Sequence, residues 1–159
     1  MITDTDNEQL AGHALLHLQG FLTAAGLSAE AAVEVLTETS VTIAITGDDA
    51  PLLVGGNGQT LDALQYLLML MTNKSRDQRL RITIDADGYR ARREKKLTDF
   101  ARELAAQVAA NSEEAVTDPM NPMDRRIIHT ALVDHPDVET YSEGDEPNRY
   151  VVISPRQSA

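Results

Sequence analysis

Cysteine and tryptophan are both missing from the 159 residues, and aromatic residues make up only 4%. Without cysteine there are no disulfides and no cysteine-rich zinc sites. With so few rings, any core must be built from aliphatic side chains. Long apolar runs are missing as well, and none nears the roughly 20 residues that cross a bilayer, so no membrane insertion is expected. The opening stretch, MITDTDNEQL, carries no cationic side chain and does not read as a signal peptide. Cytosol is therefore the default location. Positive charge is also unevenly withheld: residues 1–54 hold no Lys or Arg against eight acids.

The net charge of −11 argues against a nonspecific nucleic-acid binder. Its distribution is more informative. Ten of the fourteen Lys and Arg residues lie between Lys74 and Arg102, between two acidic ends. Such a stretch is ordinarily a solvated helix face, but a basic middle can also orient a polyanion.

The hydrophobic pattern alternates between helical and strand periods. Residues 1–8 read as a flexible tail. Leu15, Leu18 and Leu22 have helical spacing, and Gly26 is a plausible end for that helix. AVEVLTET and SVTIAITG then alternate, with Val33, Val35, Val41, Ile43 and Ile45 on one side, which predicts a hairpin. Asp48 and Asp49 can cap a short helix with Pro51 in its first turn. After the glycines at 55–58, Leu61, Leu64, Leu68 and Met71 mark a second helix, and RLRITIDA a third strand. Gly88 opens a long helix with Leu97, Phe100, Leu104 and Val108 on its buried side. NSEEAVTDP is a connector with room for a short strand. Asn121 and Pro122 then punctuate the start of a further helix, which His135-Pro136 ends. VETYSEG and RYVVISP pair around an acidic turn.

The segment LLVGGNGQTLDALQYL places three glycines inside an otherwise helical stretch, each costing about 1 kcal/mol against alanine in a helix. GGNGQT lacks the G-x-G-x-x-G spacing of a dinucleotide fingerprint. No lysine follows it, as a phosphate-binding P-loop would need. What remains is G-x-x-G between two helices. Its plainer reading is a tight corner. Its functional reading is a bare turn whose amides face an anion, over which a nucleic-acid backbone can ride.

The order α-β-β-α-(GxxG)-α-β resembles the KH domain in its type II, bacterial form. GQTLDALQYL followed by RITIDADGYRARRE is similar to the Jag family, also called SpoIIIJ-associated proteins. The likeness continues through MNPMDRRIIHTALVDHPDVETYSEGDEPNRYVVISP, which resembles that family's R-three-H domain, here with Arg125 and His129. It covers about residues 10–155. It implies an α+β chain: a tail at 1–8, a type II KH domain with a three-stranded sheet at 9–87, and a small α+β R-three-H domain at 88–159. It also implies binding of single-stranded RNA, with single-stranded DNA as the alternative, in the bacterial cytoplasm. A role near cell envelope growth and division (cell shape) and a small KH-domain partner protein belong to the same implication. The family often carries a further N-terminal domain that these residues do not include. One departure stands out. The middle of the family's G-x-x-G usually includes a basic residue, and here Gly56 and Asn57 stand there, so direct charge attraction to phosphate is lost while the backbone donors remain.

The expected nucleic-acid-binding residues are Gly55, Gly56, Asn57, Gly58 and Gln59 of the loop, with Arg79, Arg81, Arg92, Arg125 and His129. Val54, Leu61 and Ile84 are expected to contact or underlie bases. A carboxylate at Gly58 is expected to weaken binding without unfolding the chain. Four residues apart on a helix, Arg125 and His129 share a face. An Arg there can fork onto phosphate, and a His can stack or donate. From spacing alone the plainer reading is a capping and packing pair, with His129 bonded to a neighbouring carbonyl; the family resemblance favours the binding role. Bases at the start of the long helix, Arg90, Arg92, Arg93, Lys95 and Lys96, oppose its dipole, which hints at another use.

Catalysis is not expected. His13 and His17 lack the Glu of H-E-x-x-H, so no metal site is read there, and no Ser stands in a nucleophile elbow. No cofactor is expected. The rival reading is a protein-interaction adaptor that keeps both folds with weak or no nucleic-acid binding, which the base-free first helix and hairpin would suit.

Overall fold

A computed structural model describes residues 4–74 and 79–156. The chain divides into two compact units, one ending at Arg90 and the other beginning at Ala91.

The first unit holds helix α1 (Asp4–Ala24), strands β1 (Glu30–Leu36) and β2 (Ser40–Thr46), helix α2 (Gln59–Thr72) and strand β3 (Arg81–Ala86). The sheet order is β1-β2-β3, with β1 antiparallel and β3 parallel to β2. One aliphatic core joins Leu10, Leu18 and Leu22 of α1, Val41, Ile43 and Ile45 of β2, Leu61 and Leu68 of α2, and Ile82 and Ile84 of β3. Full burial of each such side chain contributes about 1.5–3 kcal/mol. The outer edge of β3 is closed by side chains. Gln65 Oε1 accepts from the Ile84 amide, and Asn73 both accepts from Leu80 N and donates to Leu80 O. These bonds satisfy groups that an edge strand would otherwise expose.

Four local expectations change. Helix α1 starts at Asp4, inside the stretch read as a tail. Asn7 is buried there and donates to Glu38 O at 2.8 Å; residues 1–3 lie outside the described residues. In β1 a bulge between Val33 and Val35 breaks the alternation. Val35 therefore lies opposite Thr42 and is 50% exposed, while Leu36 takes the place opposite Val41. In α2 the buried stripe runs through Thr72 and leaves Met71 exposed. Asp49 makes no side-chain cap to the 3-10 turn Ala50–Leu53, because its carboxylate accepts from Ser28 N at 2.7 Å.

The second unit holds most of helix α3 (Tyr89–Asn111), strand β4 (Ala115–Val116), helix α4 (Pro122–Leu132) and strands β5 (Val138–Glu143) and β6 (Tyr150–Pro155). β6 lies between β4 and β5 and is antiparallel to both. Ala101, Ala105 and Val108 of α3 pack with Ile128 and Leu132 of α4 and with Val138, Val151 and Ile153. Alanines take the positions nearest this core, and Phe100, expected to be buried, is exposed. The Asn121 side chain accepts from Asp124 N at 2.8 Å, the expected helix cap, worth about 1 kcal/mol. The described residues form an α+β fold with four α-helices over the two units, and the three-stranded sheet of the first unit is mixed. No helix among the described residues is long and apolar enough to cross a membrane.

Candidate nucleic-acid interface

The glycine loop fills the gap between the 3-10 turn and α2. Gly55 has φ +67°, Asn57 φ +53° and Gly58 φ +85°, so three of four consecutive residues are left-handed. L side chains rarely hold that conformation, and asparagine tolerates it better than most. Two of the glycines are also required by space. A Cβ on Gly55 would meet Thr60 Oγ1 at 2.1 Å, and one on Gly58 would meet Tyr89 Cε1 at 2.9 Å. Gly56 differs, since a Cβ there has nothing within 4 Å.

Gly55, Gly56, Asn57 and Gln59 are exposed, while Gly58 is buried as the N-cap of α2. The opening amides of a helix have no carbonyl one turn back within it, and they carry the positive end of its dipole. An exposed turn at that point can hold an anion through its backbone. Arg79 and Arg81, at the start of β3, are exposed. Leu61 and Ile84 are fully enclosed and can only underlie a bound base, whereas Val54 is half-buried beside the loop.

The basic start of α3 is used differently from the expectation. Arg90 donates through Nε to Ile84 O at 2.8 Å and through Nη2 to Asp62 Oδ1 and Gln65 Oε1 at 3.1 and 3.0 Å. It ties α2 to β3 within the first unit. Arg93 donates through Nη2 to buried Asp124 at 2.7 Å, joining α3 to α4. Lys95 pairs with Asp99 one turn on. These acceptors oppose an unfavourable helix-dipole placement of about 0.3–1 kcal/mol per exposed charge, rising to about 2 when partly buried. Arg92 is exposed. Arg76, within the same basic stretch of sequence, lies outside the described residues.

Arg125 and His129 both face β5 and the turn that follows it. The Arg125 side chain is 9% exposed, donating through Nε to Met120 O at 3.2 Å and through Nη2 to Glu146 Oε1. The ring of His129 lies between two hydroxyls, with Nδ1 2.7 Å from Thr140 Oγ1 and Nε2 2.8 Å from Ser142 Oγ. Burial, and secondarily the nearby Arg125 charge, hold its pKa below that of a free imidazole. The pair thus shares a face, as the four-residue spacing requires, but neither side chain is free.

Several partners were not picked out from the sequence: Tyr89 behind Gly58, Thr60 behind Gly55, Asp124 against Arg93, Glu146 against Arg125, and the two hydroxyls around His129. Only the hydroxyls left a local signal, since Thr140 and Ser142 stand two apart in a strand and share a side.

Comparison with known proteins matches residues 18–84 to the KhpA/KhpB KH domain and residues 95–155 to the R-three-H domain. An RNA-binding protein KhpB from Clostridium symbiosum is 39% identical over 148 residues, covering 92% of this chain and 67% of that protein. The protein of that name from Bacillus subtilis is 40% identical over 112 residues, covering 69% of this chain and 54% of the relative. That of Streptococcus pneumoniae is 30% identical over 151 residues, covering 95% and 46%. The chain therefore spans about two thirds of the first relative and about half of the other two. A KH unit with its glycine turn, followed by an R-three-H unit with its Arg–His face, places this chain in the KhpB/Jag family.

Proposed function

We propose that the chain binds single-stranded RNA and acts by binding rather than by catalysis. The exposed glycine turn ahead of α2 carries this reading. It offers a helix N-terminus with no side chain in the way at Gly56, although the Gln59 amide already donates to Gly56 O. Gln59 adds a polar group on the first turn, whereas Arg79 and Arg81 stand toward the other end of α2, where Asn73 bonds Leu80, and would meet a strand only if it runs on along the unit. Arg92, Arg125 and His129 are the corresponding residues of the second unit. The relatives' designation as RNA-binding proteins supports the same ligand. Single-stranded DNA shares the phosphate chemistry and differs by the 2′-hydroxyl. A cytoplasmic location, a small KH-domain partner and a role in envelope growth and division extend this proposal on the strength of the family likeness.

Titration of a fluorescent single-stranded RNA across a salt series tests it. Affinity should fall on a log–log plot with a slope of roughly 0.7 per phosphate neutralised. Absence of binding at low salt would sink the reading. Single-stranded DNA of the same sequence measures the contribution of the 2′-hydroxyl.

A second reading, a protein-interaction adaptor, is favoured by one feature of the first unit. Phe21 of α1 and Leu67 and Met71 of α2 are exposed and line an apolar groove with His17, Leu18 and Leu64. No Asp, Glu, Lys or Arg lies between Gly12 and Leu27 or between Ala63 and Asn73. On that reading RNA binding is weak or absent even at low salt.

A further inference from the structure

The arginine of the Arg–His face already holds an anion. Arg125 is buried and donates to the carboxylate of Glu146, which stands in the β5–β6 turn and is itself 53% exposed. Two further acids, Glu143 and Asp145, belong to the same stretch, and Glu143 accepts from the Tyr150 hydroxyl at 3.3 Å. A carboxylate and a phosphate offer the same pair of acceptor oxygens to a guanidinium fork.

We infer that Glu146 is an intramolecular competitor for the phosphate site of Arg125, so that the acidic β5–β6 turn must swing away before a nucleic-acid strand can use that arginine. This deepens the RNA-binding reading of the second unit and rests on it. Arg125 is the fixed half of the pair, since its shaft is enclosed and Met120 O holds its Nε. Glu146 is the movable half, on an exposed turn where little packing opposes its displacement. A tethered competitor acts at a high effective concentration, on the order of millimolar. A strand must therefore displace it at a cost in affinity, and the remaining turn acids repel phosphate as well.

The test uses the full chain and a short fluorescent single-stranded RNA. Glu146→Gln should tighten binding about threefold or more and steepen the salt dependence by roughly 0.7, the increment for one further phosphate. Combining it with Arg125→Met removes both charges, so neither is left unpaired in the interior. The gain should vanish in that double variant. On adding RNA to the parent, hydrogen exchange at the Asn148 amide, which donates to Asp145 O within the turn at 2.8 Å, should rise as the turn is displaced. The inference is overturned if Glu146→Gln binds no more tightly than the parent, if the gain survives loss of Arg125, or if exchange at the turn is unchanged by bound RNA. If the parent fails to bind and Glu146→Gln binds, the competitor stands while the reading of the unmodified chain as an RNA binder fails. If neither binds, both fall.

Discussion

A Cβ on Gly58 would lie 2.9 Å from Cε1 of Tyr89 and 3.1 Å from its hydroxyl oxygen. The ring packs against the first core, and Gly58 also holds φ +85°, so space and backbone both demand glycine. Gly58→Ala should therefore destabilise the chain by about 1–3 kcal/mol. Urea unfolding measures this, and an unchanged midpoint would refute the packing argument. A carboxylate at this position strains the fold as well as repelling phosphate, so the expectation that Gly58→Asp spares folding does not fit the structure.

Gly56 is the clean place to change charge. It is exposed, and a Cβ there meets nothing within 4 Å. Gly56→Lys should strengthen RNA binding and Gly56→Asp weaken it, each about tenfold, which is roughly 1.4 kcal/mol. Neither should move stability by more than about 0.5 kcal/mol. Fluorescence anisotropy at low salt reads the binding and thermal unfolding the stability. Equal affinities for the two variants would mean that no phosphate comes near the turn.

His129 makes stability depend on pH. Its folded pKa lies below the roughly 6.5 of a free imidazole, chiefly through burial and then through Arg125. The unfolded chain therefore binds the proton first as pH falls. The neutral ring's contribution is complete above about pH 6.5 and is lost as pH drops from there toward the folded pKa. His129→Gln removes this titration. The stability difference between parent and variant should be larger at pH 8 than at pH 5, measured by denaturant unfolding. A difference that stays constant would show that the folded ring titrates like a free one.

The order of elements was legible because each segment carries its own period. β2 alternates strictly, and Val41, Ile43 and Ile45 are all buried. The α4 cap was equally local, an Asn-Pro pair read three residues ahead of the Asp124 amide that donates to it. Edge positions were not legible in this way. Val33 and Val35 look like core residues in sequence, but a bulge turns Val35 away. Phe100 looks like a core residue of α3, but the positions facing the second core are close enough to demand Ala101 and Ala105.

The loop shows the same division. G-x-x-G followed by a helix is a property of four adjacent residues, and the family likeness drew on such runs. The reason that two of those glycines cannot be replaced is Thr60 for one and Tyr89, thirty-one residues on, for the other. No local pattern encodes that second distance.

The sequence by itself determined the succession of helices and strands, the family and the sharing of one helix face by Arg125 and His129, because backbone period, caps and spacing act over a few residues. Tertiary structure alone decided what the charges do. Arg90 and Arg93 were committed to Asp62 and Asp124, and Arg125 was given to Glu146, because a guanidinium leaving water takes the acceptors that folding brings within reach, however far off they stand in the chain.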